Sequence, residues 1–221
     1  MIAEELVNQM IPALKLTDTA EKAIIWMEEL KTNQLPVIEN RQFKGLISED
    51  LILESNDLDR NIADFRLISE NCYVYEEQHL FDIIRVAQEH ESELVAIINN
   101  ENEFLGVSRH EDTMKAFANT LAVQGQGGIL VLNMRMIDYS LSEISRLVES
   151  DDAKILGSFL SQNSKDPNQV YVTLKINKVD LTTVIATLER FDYLIVAKFH
   201  DQNNISTERE RLDNLLNFLN I

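Results

Sequence analysis

The sequence predicts a mixed α/β (α+β) protein: two tandem copies of a small strand–helix–strand–strand–helix unit, then a different domain of plan βαββαβ. Three observations lead there. Phe43-Lys44-Gly45-Leu46-Ile47-Ser48 is echoed by Phe104-Leu105-Gly106-Val107-Ser108, with the glycine displaced by 61 residues, and such a period marks a duplicated supersecondary unit. An amphipathic helical pattern and a short apolar run precede each glycine in the same order. Beyond Gly125-Gln126-Gly127-Gly128 the apolar periodicities follow a new order, that of a ferredoxin-like plan.

In the first unit Ala20, Ala23, Ile24, Met27 and Leu30 recur at helical spacing, and Asp18 with Glu21 three residues on predicts the N-terminal cap. Leu35-Pro36-Val37-Ile38 reads as a strand and Glu39-Asn40 as a turn. The glycine segment is the next strand, and Leu51-Ile52-Leu53 opens the second helix. The second unit repeats this with Leu80, Ile83, Ile84 and Ala87, then Leu94-Val95-Ala96-Ile97-Ile98, Asn99-Asn100, Gly106, and Met114-Lys115-Ala116-Phe117. The glycine cluster has the composition of a flexible hinge. Strands follow at 129–132, 155–161, 170–176 and 193–199, with helices at 140–149 and 181–188. A last helix carries Leu212, Leu215, Leu216 and Leu219 on one face behind the capping box Thr207-Glu208-Arg209-Glu210. The expected boundaries are 1–60 and 61–122 for the repeats, 123–128 for the hinge, 129–200 for the third domain and 201–221 for the terminal helix.

The charge is lopsided. Residues 1–118 hold 24 acids against 10 Lys and Arg, a net of −14 out of the chain's −17. Such a surface repels phosphate backbones, and without a basic patch interleaved with aromatics there is no counter-ion release to drive nucleic-acid binding. No run approaches the roughly 18 apolar residues of a membrane span. The opening Met1-Ile2-Ala3-Glu4-Glu5 is acidic where a secretory signal is basic, so the expected location is the cytoplasm. The single cysteine, Cys72, has no basic neighbour in sequence to lower its pKa and reads as a buried, inert thiol. His79, His90, His110 and His200 share no ligand spacing, and phosphate-loop and nucleophile-elbow motifs are missing. An enzyme is therefore not expected.

The duplicated order resembles a tandem pair of cystathionine-beta-synthase (CBS) domains over residues 6–119. Leu35-Pro36-Val37-Ile38 leading to Gly45-Leu46-Ile47-Ser48-Glu49-Asp50, the opening Asn8-Gln9-Met10-Ile11-Pro12, and the echo from Gly106 to Asp112 carry the resemblance. Residues 128–200 resemble an ACT domain, and the combination resembles the acetoin-utilisation-type CBS proteins.

The resemblance implies a regulatory protein, a homodimer, that senses a small molecule in the cleft between the repeats. The expected ligand is an adenine nucleotide (AMP, ADP or ATP) or S-adenosylmethionine, and the alternative is an oligomerisation scaffold with degenerate sites. Candidate lining residues are Pro12, Leu35, Pro36, Ser48, Asp50, Ala96, Ser108, Arg109 and Asp112. The family places a hydroxyl three residues after the glycine to meet phosphate and a carboxylate three further on to accept from the ribose. Here Ser48 is in place while Asp50 arrives one residue early; Asp112 is in place while Arg109 takes the hydroxyl position and Ser108 stands one short. A guanidinium at that lip can grip phosphate bidentately instead. In the ACT-like domain the expected glycine turn reads Arg135-Met136-Ile137-Asp138-Tyr139-Ser140, where Asp138 and Ser140 are either ligand contacts or caps of the next helix.

Overall fold

The computed structural model describes residues 1–164 and 166–199. It divides into two compact units, residues 1–118 and the remainder from Asn119. The expected terminal helix and His200 lie outside the described residues.

In the first unit each repeat forms a three-stranded sheet with two helices. Repeat one contains β1 (Leu14–Lys15), α1 (Ala20–Leu30), β2 (Gln34–Glu39), β3 (Gln42–Ser48) and α2 (Glu49–Ser55). Repeat two contains β4 (Tyr73–Tyr75), α3 (Leu80–Glu89), β5 (Leu94–Ile98), β6 (Phe104–Arg109) and α4 (His110–Ala118). In both, the first strand runs parallel to the second and the second antiparallel to the third. Helix α1 starts as its apolar spacing requires, but its cap is Thr19, whose hydroxyl accepts from Lys22 N at 3.3 Å. Asp18 instead accepts from the Lys15 amide and the Lys22 ammonium, both at 2.7 Å, so it ties the preceding turn to the helix.

The repeated glycine sits at a bulge. The register slips between Val37 and Ile38 opposite Gly45, and between Ile97 and Ile98 opposite Gly106. At Gly45, φ is +143°, and a Cβ there would stand 2.9 Å from the Ile68 carbonyl oxygen. The reason is a crossing of lead segments. Residues approaching repeat two pair with repeat one, where Leu46 and Ile68 exchange backbone bonds of 2.8 and 2.9 Å. Residues approaching repeat one pair with repeat two, the Asn8 amide donating to Val107 O at 2.7 Å. The bonds Ala3 N to Gln78 O and Ala63 N to Leu16 O complete this near-symmetric exchange. One core, including Leu14, Met27, Val37, Ile52, Val74, Ile83, Val95 and Val107, spans both repeats.

The second unit begins with the short helix α5 (Leu121–Gln124), then β7 (Gly128–Arg135), α6 (Leu141–Glu149), β8 (Ile155–Gln162), β9 (Gln169–Ile176), α7 (Thr182–Arg190) and β10 (Leu194–Phe199). The sheet order is β10-β7-β9-β8, antiparallel throughout, which is the ferredoxin-like arrangement. Strand β9 alternates half-buried and buried residues, and Leu130, Leu132, Val172 and Leu174 meet Ile144, Leu147, Val148, Val184 and Leu188 of the helices.

The span 123–128 differs from a free hinge. The division between units falls earlier, at Ala118–Asn119, and Val123 and Gln124 are helical. Gly128 belongs to β7, and a Cβ on Gly127 would collide with the Ile176 carbonyl. These glycines serve close backbone approach rather than slack.

Candidate functional site

Three basic side chains converge in the first unit. Arg109 ends β6 and His110 opens α4, while Lys31 follows α1 in a left-handed C-cap conformation (φ 51°, ψ 51°). All three line one groove of about 310 Å³, together with Thr32, Glu93, Leu94 and Glu111. In each repeat the first N–H of the second helix is held by the residue just before that repeat's own central strand: His110 N donates to Glu93 O at 2.9 Å and Glu49 N to Asn33 O at 2.8 Å. A second hollow of about 380 Å³ adjoins it through the shared Lys31, Thr32 and Glu93. Among the described residues neither Lys31 nor Arg109 enters an ion pair, whereas Lys22, Arg41, Lys44, Arg85 and Lys115 do. In a unit so rich in acid, two uncommitted cations on one groove form a local anion-receptive spot flanked by the carboxylates Glu93 and Glu111.

The other sequence-derived candidates divide by place. Asp112 is fixed from the opposite end of the repeat pair: Asn8 Nδ2 donates to its Oδ2 at 2.9 Å, and Asn8 Oδ1 accepts from the Met10 amide. Lys115 stands 3.9 Å from its other oxygen. The segment containing Pro12 thus runs past this carboxylate's holder, with Pro12 half-buried. Leu35, Pro36 and Ala96 are buried in the central strands β2 and β5, where Pro36 is paired with Leu46 and Ala96 with Val107. Ser48 caps α2, accepting from Leu51 N at 3.4 Å.

Asp50 and Ser108 do not line this groove. Asp50 is exposed on the first turn of α2, one residue before Leu51, which stands where repeat two has Asp112. Ser108 lies on the other face of β6 from Arg109, since successive strand residues alternate; it is 1% exposed and hydrogen-bonded to Thr113 at 2.9 Å. Sequence reasoning missed Lys31, Thr32 and Glu93, which belong to no motif, and treated His110 only as a non-ligand.

In the second unit Ser140 is the helix cap, accepting from Glu143 N at 3.4 Å. Asp138 is clamped by Arg135 through bonds of 2.6 and 2.9 Å, and this hydrogen-bonded guanidinium holds its carboxyl below the usual range. Asp138 borders a hollow of about 330 Å³ lined also by Asn133, Arg135, Glu143, Asp192 and Tyr193, and Ser140 is not on its lining. Asn133 Oδ1 is buried without a hydrogen-bond partner, a feature no sequence pattern announced. Burial and the nearby Glu143 carboxylate push the Tyr193 phenol up. Cys72 is buried, its thiol 3.3 Å from Leu94 O, and burial pushes it up to about 11. His79 caps α3, Nδ1 accepting from Phe81 N at 3.2 Å. No group of three or more His, Cys, Asp or Glu with metal-site geometry occurs among the described residues, and no helix there is long and apolar enough to cross a membrane.

No family model matches the chain. Among solved structures it is similar to a CBS domain pair/ACT domain protein from Thermotoga maritima, at 21% identity and TM-score 0.50, over 55% of this chain and 99% of that one. A CBS domain-containing protein from Bacillus anthracis matches at 14% identity and TM-score 0.46, over 53% of this chain and 92% of the other. The protein CBSX2, solved in complex with AMP, matches at 16% identity and TM-score 0.45, over 52% and 95%. The doubled βαββα topology with exchanged lead segments, together with the first of these likenesses, identifies the fold as tandem CBS repeats followed by a ferredoxin-like βαββαβ domain.

Proposed function

We propose that the chain is a non-catalytic, ligand-sensing regulator whose CBS pair binds a small anion-bearing metabolite, an adenine nucleotide or S-adenosylmethionine, at the Lys31–Arg109–His110 groove. The single observation that carries this reading is the convergence of Lys31 and Arg109, neither ion-paired, on one groove of a strongly acidic unit. A nucleotide suits a groove of mixed sign: phosphate meets the guanidinium and ammonium, and ribose hydroxyls donate to a carboxylate such as Glu93 or Glu111. Arg109 thereby replaces the hydroxyl that the family uses, and Ser48 and Asp112 stand at the family's hydroxyl and carboxylate positions of the two repeats. Ligand binding acts by favouring one arrangement of the interlocked repeats, and the βαββαβ domain, read as ACT-type, is the second regulatory module of an acetoin-utilisation-type protein. Asp138 marks that domain's own candidate site. A cytoplasmic homodimer is the matching assembly.

Isothermal titration of the full chain with AMP, ADP, ATP and S-adenosylmethionine tests the reading. Micromolar binding of at least one, weakened tenfold or more by Arg109→Ala, is the expected result. Absence of heat at millimolar ligand overturns it.

A scaffold role has one observation in its favour. Ile25, Leu53, Phe81 and Met114 are exposed, one on each helix of the CBS pair, as self-associating helix faces are. Sedimentation showing a monomer at high concentration excludes it.

A further inference from the structure

The duplication supplies an internal control on the packing of each repeat. With an offset of 60 before the bulge and 61 after it, Met27, Ile47 and Ile52 of repeat one correspond to Ala87, Ser108 and Thr113 of repeat two. The first three are core residues, exposed by 2%, 0% and 0%, and they fill the space between the two helices and the sheet. Their counterparts are smaller at every position and polar at two. Repeat two accordingly contains a cavity of about 470 Å³ that reaches inward to Val95, Ser108 and Thr113, with Ala87 on its wall and Ile84 and Met114 at its rim, whereas the corresponding hollow of repeat one, about 380 Å³, stops at Met27 and is otherwise lined by polar residues. That volume lies within the range of small-molecule sites.

Its floor is chemically incomplete in a definite way. Thr113 Oγ1 donates to Arg109 O at 3.0 Å, so the 2.9 Å contact with Ser108 must use the Ser108 proton. A hydroxyl has one proton and two lone pairs. Ser108 Oγ, 1% exposed, therefore retains acceptor capacity at the base of a largely apolar chamber. Glu91 and Glu93 stand on the lining with His110, so the carboxylates disfavour an anionic guest.

We infer that repeat two holds a second ligand site, on the face of β6 opposite Arg109, for a compact apolar molecule bearing an N–H or O–H donor, an amine or alcohol rather than an acid. The site shares Glu93 and His110 with the nucleotide groove but not Lys31 or Arg109. Tryptamine, tryptophol and indole-3-acetate share one body and differ in head group, and serve as probes in titrations of the isotopically labelled full chain followed by amide NMR.

Tryptamine and tryptophol should shift amides of α3, β6 and α4, and indole-3-acetate should bind at least tenfold more weakly. Ala87→Met, which restores the repeat-one residue, should abolish probe binding by more than tenfold without lowering the melting temperature. Ser108→Ala, which leaves the volume almost unchanged, should weaken both donors several-fold and provides the answer if Ala87→Met fails to fold. The double variant Lys31→Ala/Arg109→Ala should leave probe affinity within twofold, separating this site from the groove. No binding by any probe at millimolar concentration, undiminished binding in Ala87→Met, equal affinity for the acid, or self-association that occupies the cavity in place of the probes overturns the inference.

Discussion

Replacing Gly45 by alanine probes the crossing of lead segments directly. At φ +143° an L side chain is strained, at a cost of about 1–3 kcal/mol. The new Cβ would also stand 2.9 Å from the backbone oxygen of Ile68, which is bound on both sides to Leu46, and 3.1 Å from the Leu67 side chain at Cβ. Crowding of this kind costs about 1–3 kcal/mol, and the lost freedom of the unfolded chain returns about 0.4–1 kcal/mol. The net destabilisation is about 2–4 kcal/mol. Trp26 is the chain's sole tryptophan and lies in α1, under the Lys22 ammonium at 4.3 Å from the ring centre, so its fluorescence reports the first unit alone. With a urea slope of about 1–3 kcal/mol per molar, the midpoint should fall by about 1–2 M. Gly106→Ala is the internal comparison. Its nearest obstacle is the Val7 Cγ1 methyl at 2.7 Å, a side chain able to turn, so the loss there should be smaller, about 1–2 kcal/mol. A midpoint change under about 0.3 M for Gly45→Ala, or a larger loss at Gly106, refutes the account of the bulge.

Other expectations follow from single contacts. Asn8→Ala removes the 2.9 Å bond to Asp112 and should cost about 1.5–3 kcal/mol in urea titration of the Trp26 signal. Ser140→Ala removes the α6 cap and should lower the stability of the second unit by about 1 kcal/mol, read as earlier loss of ellipticity while the Trp26 transition stays in place. Cys72, with its thiol pushed up to about 11 by burial, should resist disulfide reagents at pH 8 until urea unfolds the unit. Its raised folded pKa contributes stability that is fully present below the unfolded value near 8.5 and is lost as pH rises towards 11. Cys72→Ala should flatten that alkaline limb.

The duplicated plan was legible because three signals agreed locally: helical apolar spacing, an apolar run, and a glycine at constant displacement. The third domain was legible from the same alternation, β9 above all. What failed was whatever depended on adjacency in space. Asp18 and Thr19 are both good caps, and only the turn geometry assigns Thr19 the role. Ser108 and Arg109 are neighbours in sequence, yet strand parity sends them to opposite faces, one to a chamber and one to a groove. The bond from Asn8 to Asp112 spans 104 residues and no local pattern encodes it. Lys31 stands in no motif, and its place in the groove comes from the left-handed turn that ends α1. The glycines at 127 and 128 looked like slack because composition alone does not tell a loose chain from a tightly approached one.

The exchange of lead segments has a consequence for how such a unit can be divided. Residues 1–8 complete repeat two, and the stretch around 61–68 completes repeat one, so a cut made at the sequence boundary severs each half from its own missing edge. A polypeptide carrying a single repeat would satisfy its sheet only by trading arms with a second copy. The duplicated chain is, in this sense, an arm-exchanged dimer joined end to end, and its two halves stand to one another as subunits.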